Sequence, residues 1–284
     1  MADTYKVLVN EKQFLTFLDK LGDIFPNETY FINTAFRSKK LTDEERKMLG
    51  ARAREIYLTK TIRGSDNNRV NSENALQKMY ELEVPIKCLT FNKGTENEIS
   101  LPQRAMTTFI CCNPSDERKV ALMHLAAVND IQKNIILSND GGVDGKNQLA
   151  HTNSDFRAER MKCNRTKWID FDIDITNIEE ISRKVVANVI RTAVKTKELC
   201  LEPLKKNIFK NPKGFIIQTA GGVHVLIDKN CLCGNPTIFC EELERWLETG
   251  GCEIKEIDFK SGPCMIPCPG VLMYDEWVVT WEEL

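Results

Sequence analysis

The run Lys167-Trp168-Ile169-Asp170-Phe171-Asp172-Ile173-Asp174-Ile175-Thr176 alternates strictly, with Ile169, Phe171, Ile173 and Ile175 on one side and Asp170, Asp172 and Asp174 on the other. The period is that of a strand, although Asp is depleted in strands. At a rise of about 3.3 Å per residue, successive carboxylates on one face stand roughly 7 Å apart. Like charges in such a row repel, and burial makes the conflict worse. A cation over the row removes it, and hard divalent ions such as Mg²⁺ or Mn²⁺ take oxygen ligands. The plain alternative is a sheet whose polar face is simply solvated. Two further residues able to do chemistry follow on apolar strands. His224 comes two residues after the last glycine of the Thr219-Ala220-Gly221-Gly222 turn, and Asp258 lies within 254–259. A glycine two residues before the histidine lets backbone approach a bound phosphate.

These residues need a sheet to bring them together. Thr176 and Glu179 form a capping box for a helix in which Ile178, Ile181, Val185, Val189 and Val194 recur at helical spacing. Phe215-Ile216-Ile217-Gln218 and Val223-His224-Val225-Leu226-Ile227 read as a hairpin around the glycines. Asn235 caps a helix with Pro236 at its first position, running to Thr249 before Gly250-Gly251. Ile254 to Phe259 is a strand, and Val271-Leu272-Met273 and Trp277-Val278-Val279 finish the chain as short strands. The order β-α-β-β-α-β is ferredoxin-like or RRM-like; order alone names no function. In such a sheet the first and third strands are central neighbours, so the Asp pair and His224 meet on its open face.

The preceding half reads as mixed helices and strands. Asn10 caps a helix with Phe14, Phe17, Leu18 and Leu21 on its apolar side and Gly22 at its end. Glu28 to Phe36 is a strand. Thr42 and Glu45 make a capping box for a charged helix predicted to reach about Thr61, with Met48, Leu49, Ile56 and Tyr57 as its apolar side. Val84 to Phe91 and Met106 to Cys112 are predicted strands, and a helix is predicted from about Asp116 to Val128. The turn-rich Asn139-Asp140-Gly141-Gly142-Val143-Asp144-Gly145 divides an N-terminal α/β half, 1–150, from 151–284. The expectation is one α+β catalytic domain of 284 residues with two subdomains.

Hydrophobic content of 42% and charged content of 28% are those of an ordinary globular chain. The net charge of −2 excludes a global basic field but not a local basic groove. The polar start predicts no signal peptide, and no apolar run approaches the ~20 residues of a membrane span. The 11 Cys are read as reduced thiols of a cytoplasmic protein, with Cys111-Cys112 in the core. Cys231, Cys233 and Cys240 form one group and Cys264 and Cys268 another. Neither is a CxxC pair and no His lies close, so zinc is the minor alternative to Mg²⁺ or Mn²⁺.

Taken in order, these motifs resemble those of the archaeo-eukaryotic primase superfamily, in its phage- and plasmid-type primases and primase-polymerases. Phe171-Asp172-Ile173-Asp174-Ile175-Thr176-Asn177 looks like the first motif, a hydrophobic run ending in Asp-x-Asp. Thr219-Ala220-Gly221-Gly222-Val223-His224-Val225 resembles the second, and Ile257-Asp258 the third. Pro267-Cys268-Pro269-Gly270-Val271-Leu272 is similar to a Pro-Gly-Thr segment, and Thr108-Phe109-Ile110 to Asn113-Pro114 to an Asn-Pro-Arg segment. The resemblance implies a primase-type catalytic core with an RRM-like antiparallel sheet half and an N-terminal α/β half. It implies a template-directed nucleotidyltransferase, a DNA primase or primase-polymerase making primers on single-stranded DNA. Asp172, Asp174 and Asp258 would bind two divalent ions, Asp170/Asp172 being the other register of the motif. His224 would contact the nucleotide's phosphates, with Thr219, Gly221 and Gly222 shaping the pocket. The family's Arg near the Pro-Gly segment is replaced by Met265 and Ile266, and Ser115 stands where Asn-Pro-Arg has Arg. Lys213, Arg157, Arg160 or Lys260 would then hold phosphates. The implied partners are a single-stranded DNA template, NTP or dNTP and, because no GxxxxGK[ST] motif occurs, a separate helicase. A phage source would make the host cytoplasm the location.

The reading from another class is a non-catalytic single-stranded nucleic-acid-binding module or replication accessory protein. RRM-like sheets stack bases on exposed aromatics, whereas this face offers aspartates.

Overall fold

The structure, a computed structural model, describes residues 4–50, 57–137, 162–176, 179–195, 213–232, 235–262 and 264–284. Its strands are β1 (Glu28–Phe36), β2 (Tyr57–Arg63), β3 (Thr90–Phe91), β4 (Ile99–Ser100), β5 (Met106–Cys111), β6 (Ser115–Asp116), β7 (Trp168–Ile175), β8 (Gly214–Gln218), β9 (Gly222–Asp228), β10 (Ile254–Lys260), β11 (Met265–Pro267), β12 (Leu272–Met273), β13 (Trp277–Val278) and β14 (Thr280–Glu283). The α-helices are α1 (Glu11–Leu21), α2 (Asp43–Leu49), α3 (Ser72–Tyr80), α4 (Glu117–Leu137), α5 (Glu180–Lys195) and α6 (Pro236–Thr249). The fold is mixed α+β, and its strand pairings are antiparallel.

Two sheets carry the architecture. The first runs β11-β5-β1-β2, with β6 also on β1; the second runs β10-β7-β9-β8-β14. From β7 to β10 the element order is β-α-β-β-α-β, and β7 and β9 are neighbours as expected. After β10 the chain crosses to the edge of the first sheet as β11 and returns to the second as β14. The stretch 265–283 therefore ties the halves together.

The second sheet buries both faces, in different ways. Ile169, Phe171, Ile173 and Ile175 of β7 pack with Val223, Val225 and Ile227 of β9 against Val186, Ala187 and Ile190 of α5 and Phe239, Leu243 and Leu247 of α6. On the opposite face Trp168, Phe215, Ile217 and Leu226 join the N-terminal core of Phe14, Phe17, Tyr30, Ile32 and Ile110. Phe17 meets Phe215 edge-on with ring centroids 5.6 Å apart, and Trp168 lies 5.0 Å from the same ring. The aspartate face of β7 thus looks toward the first half of the molecule.

Several local expectations change. The Thr42/Glu45 capping box forms, with Thr42 N donating to Glu45 Oε2 at 2.7 Å and Glu45 N to Thr42 Oγ1 at 3.2 Å. Its helix does not reach Thr61. It ends at Leu49, where Gly50 takes φ +56°, a conformation glycine adopts without strain. The chain resumes as β2, whose aromatic and β-branched Tyr57, Thr59, Thr61 and Ile62 suit a strand; Ile56 lies outside the described residues. Of Val84 to Phe91 only Thr90–Phe91 is strand, because Pro85 leads into a 3₁₀ turn at Ile86–Leu89. Helix α4 continues well past Val128 to Leu137. In α5 the predicted Val189 packs partly buried against the core and Val185 is exposed, while Val186, Ala187 and Ile190 supply the buried face. Asn139 to Gly145, Ile178, Arg157 and Arg160 lie outside the described residues. Among the described residues, no helix is long and apolar enough to cross a membrane.

Candidate functional site

Strand β7 lies between β10 and β9, and the register of the three builds the site. Asp258 and His224 stand opposite Asp172 on either side, Lys260 and Leu226 opposite Asp170, and Glu256 and Gly222 opposite Asp174. Residues directly opposite one another share a face, with Cβ atoms about 4.5–5.5 Å apart. Asp258, Asp172 and His224 thus form one row across three strands. Glu256 adds a carboxylate that sequence reasoning missed. The signal was present, since Glu256 and Asp258 alternate in Glu256-Ile257-Asp258.

Burial falls along the row of β7. Asp170 is 0% exposed, the Asp172 side chain 30%, and Asp174 and Asp258 are exposed. The cause is the packing: Trp168, Phe215 and Leu226 hold one end of this face in the shared core, and the other end emerges from it.

The aspartates therefore play unequal parts. Asp170 turns both oxygens to His224 Nδ1, at 3.1 and 3.2 Å. The other ring nitrogen, Nε2, lies 3.4 Å from Asp172 Oδ1. Lys260 Nζ donates to Asp172 Oδ2 at 3.2 Å. Burial, the largest influence on His224, disfavours its charged form, but the charge and hydrogen bond of Asp170, together with Asp172, outweigh it and raise the pKa above the usual value. Burial also acts downward on Lys260, and Asp172 and Asp170 outweigh it, so its pKa is raised too. The inner part of the carboxylate row, Asp170 and Asp172, is thus met from within the face by an imidazole and an ammonium.

The turn before His224 is closed by its own threonine. Thr219 Oγ1 accepts from Gly221 N at 3.3 Å and from Gly222 N at 3.1 Å, and Thr219 N donates to Gly222 O at 2.9 Å. Gly222 is glycine because β7 passes against it: a Cβ there would overlap the Ile173 carbonyl. Gly221 is under no such constraint; the nearest atom to a Cβ would be Asp174 Oδ1 at 4.0 Å. Gly221 and Gly222 therefore do lie beside Asp174, with Thr219 closing their turn. From α5, Arg183 Nη2 donates to Ala220 O at 3.0 Å, and its guanidinium lies 3.9 Å from the Trp277 ring centroid.

Asn113 fixes the start of the aspartate strand. Its Oδ1 accepts from Lys167 N and Trp168 N, both at 2.8 Å. Its Nδ2 donates to Trp168 O at 2.9 Å and to Gly262 O at 2.6 Å. One buried amide thereby joins the end of β5, the start of β7 and the link from β10 to β11.

Other predicted participants lie elsewhere. Lys213 precedes Gly214, which pairs with Ile227 at the far end of the hairpin; five residues of extended strand, about 16 Å, separate it from the turn. Met265 and Ile266 belong to β11, paired with Cys111 and Ile110 of β5. Gly270, at φ +83°, accepts from Val9 N and Asn10 N at 2.9 Å, which makes the Pro-Gly segment an anchor for the N-terminus. Buried Ser115 hydrogen-bonds Asn164. Cys112, Cys264 and Cys268 are buried, and burial pushes each thiol well up; it pushes Cys111 up to about 12. Cys231 and Cys240 are partly buried, and Cys233 lies outside the described residues.

Among the described residues, no group of three or more His, Cys, Asp or Glu side chains is arranged to hold a metal ion. The donor chemistry nevertheless suits a hard divalent ion: paired carboxylates of Asp172 and Asp258, Asp174 next along β7, and a cation already seated on Asp172. No family model, no curated protein and no solved structure matches this chain significantly.

Proposed function

We propose that the chain is a template-directed nucleotidyltransferase of the archaeo-eukaryotic primase type, a primase or primase-polymerase that makes primers on single-stranded DNA. The observation that carries this reading is the row Asp258–Asp172–His224 across three adjacent strands, with Asp174 at its open edge. Three motifs separated by up to 86 positions in the sequence (Asp172 to Asp258) meet on one face. The β10-β7-β9-β8 strand order within a β-α-β-β-α-β unit supports the RRM-like, primase-type fold.

In this reading Asp172, Asp258 and Asp174 hold the divalent ions, Mg²⁺ or Mn²⁺. When bound, such ions supply positive charge to a triphosphate and make a nearby hydroxyl more acidic. The protein's own groups do the rest. His224, held by Asp170, presents Nε2 toward the row, where it meets a phosphate oxygen of the incoming nucleotide. The Thr219–Gly222 turn borders the nucleotide beside Asp174. The 3′-hydroxyl of the growing strand attacks the α-phosphorus in line, its proton passing to solvent, and pyrophosphate leaves with the bonding pair of the broken P–O bond. Asp170 is too buried to serve as a ligand, which favours Asp172/Asp174 over Asp170/Asp172 as the motif pair.

The open end of the face carries carboxylates where a base-stacking module would carry aromatics, so pure nucleic-acid binding fits less well. Primer synthesis on circular single-stranded DNA with labelled NTP or dNTP and Mg²⁺ or Mn²⁺ tests the proposal. Wild type should give product and Asp172→Ala/Asp174→Ala none; equal product from both overturns it.

A further inference from the structure

Both oxygens of Asp172 already face a side-chain nitrogen. Oδ1 is 3.4 Å from His224 Nε2 and Oδ2 is 3.2 Å from Lys260 Nζ. A divalent ion approaching Oδ2 meets the charge of Lys260 and one approaching Oδ1 meets the ring of His224, and the two neighbours differ in how firmly they are held. His224 is buried, and its other nitrogen is gripped by Asp170. Lys260 sits on β10, at the open side of the face, with its side chain 41% exposed. Its strand position is opposite Asp170, so its flexible stem leans along the sheet to reach Asp172. A half-exposed ion pair of this kind is weak, so a doubly charged ion displaces it readily.

We propose that Lys260 is the internal occupant of the cation position at Asp172. It holds Oδ2 while the ion is absent, competes with the ion for that oxygen and, once displaced, becomes a contact for the substrate's phosphates. The inference rests on the nucleotidyltransferase reading of the same face. It assigns Lys260 two opposed effects. As a competitor it weakens binding of the bare ion. As a freed ammonium beside the occupied site it strengthens binding of a polyphosphate. A side chain that merely supported the fold would move both in one direction.

The test titrates Mn²⁺ alone, by calorimetry and by loss of the free Mn²⁺ electron-paramagnetic-resonance signal, into wild type, Lys260→Met, Lys260→Arg and Asp172→Asn. Inorganic tripolyphosphate is then titrated at saturating Mn²⁺. Lys260→Met should bind Mn²⁺ about 3- to 10-fold tighter and tripolyphosphate about 10-fold more weakly than wild type, on the scale of one weak ion pair and one charge-assisted contact. Lys260→Arg, which keeps a cation, should stay near wild type in both, and Asp172→Asn should lose Mn²⁺. Unchanged or weaker Mn²⁺ binding in Lys260→Met overturns the inference, as does unchanged or tighter tripolyphosphate binding. If Asp172→Asn still loses Mn²⁺ in that case, the nucleotidyltransferase reading stands without it. If neither wild type nor Lys260→Met binds Mn²⁺, both fall together.

Discussion

Asp170 points both carboxylate oxygens at Nδ1 of His224, at 3.1 and 3.2 Å, beneath a face that opens to solvent two residues further along β7. The pair sets how His224 presents its other nitrogen to Asp172. It also links stability to pH. Burial, the largest influence, opposes a charge on the ring, yet Asp170 and Asp172 outweigh it and raise the pKa. A group whose folded pKa is raised contributes fully below its unfolded value, about 6.5, and loses that contribution as pH rises through the folded value. In chelator, wild-type thermal stability should therefore decline from about pH 6.5 upward. Asp170→Asn should flatten that decline and cost about 3 kcal/mol at the acid end, the scale of a broken buried pair. An unaltered pH slope in Asp170→Asn would rule out the coupling.

The two turn glycines should separate cleanly. Gly222→Ala drives a methyl into the Ile173 carbonyl at the junction of β7 and β9, and backbone cannot yield there without parting the strands. A loss of about 3 kcal/mol by urea denaturation is expected, the upper end for overpacking. Gly221→Ala meets nothing closer than 4.0 Å and should stay within about 0.5 kcal/mol of wild type. Equal losses would contradict the close strand approach.

Removing the Asn113 amide strands backbone groups of Lys167, Trp168 and Gly262 that it now satisfies. Each buried group left unpaired costs about 1–3 kcal/mol. Asn113→Ala should lose about 4 kcal/mol in all, and amide hydrogen exchange should quicken first at the start of β7. Protection unchanged at Trp168 would show that the clamp contributes little.

Much of this arrangement is legible in the sequence. Alternation around Asp170, Asp172 and Asp174 marks β7, and Asn10, Asn235 and Pro236 mark helix starts that the structure keeps. What alternation leaves open is depth. It places the three aspartates on one face, but the gradient from buried Asp170 to exposed Asp174 comes from Trp168 packing on Phe215 and Phe215 on Phe17, residues far apart in sequence. The seat of Lys260 on Asp172 and the contribution of Glu256 likewise depend on the β10–β7 register. Strand β2 was hidden because a charged helix start at Thr42 carried the predicted period past Gly50. Strands β11 and β14 are too short to show a period of their own.

The cysteines give an inexpensive check of the core. Cys88 is exposed, whereas Cys111, Cys112, Cys264 and Cys268 are buried, and burial raises the pKa of all four buried thiols. Because the thiolate is the reacting form, mild iodoacetamide followed by mass spectrometry should label Cys88 well before those four. Early labelling of Cys264 or Cys268 would mean that the seam between the sheets opens.

The central claim is that Asp172, Asp174 and Asp258 act on bound nucleotide while Asp170 acts only through His224. The most direct measurement is Mn²⁺-dependent nucleotide incorporation on single-stranded DNA, made side by side on Asp170→Asn, Asp172→Asn, Asp174→Asn and Asp258→Asn, each first shown to be folded. The account predicts a loss of at least about 100-fold for the three outer aspartates, as when a group that stabilises charge in the transition state is removed, and a smaller loss for Asp170→Asn with Mn²⁺ affinity retained. Wild-type rates from Asp258→Asn or Asp172→Asn would contradict it.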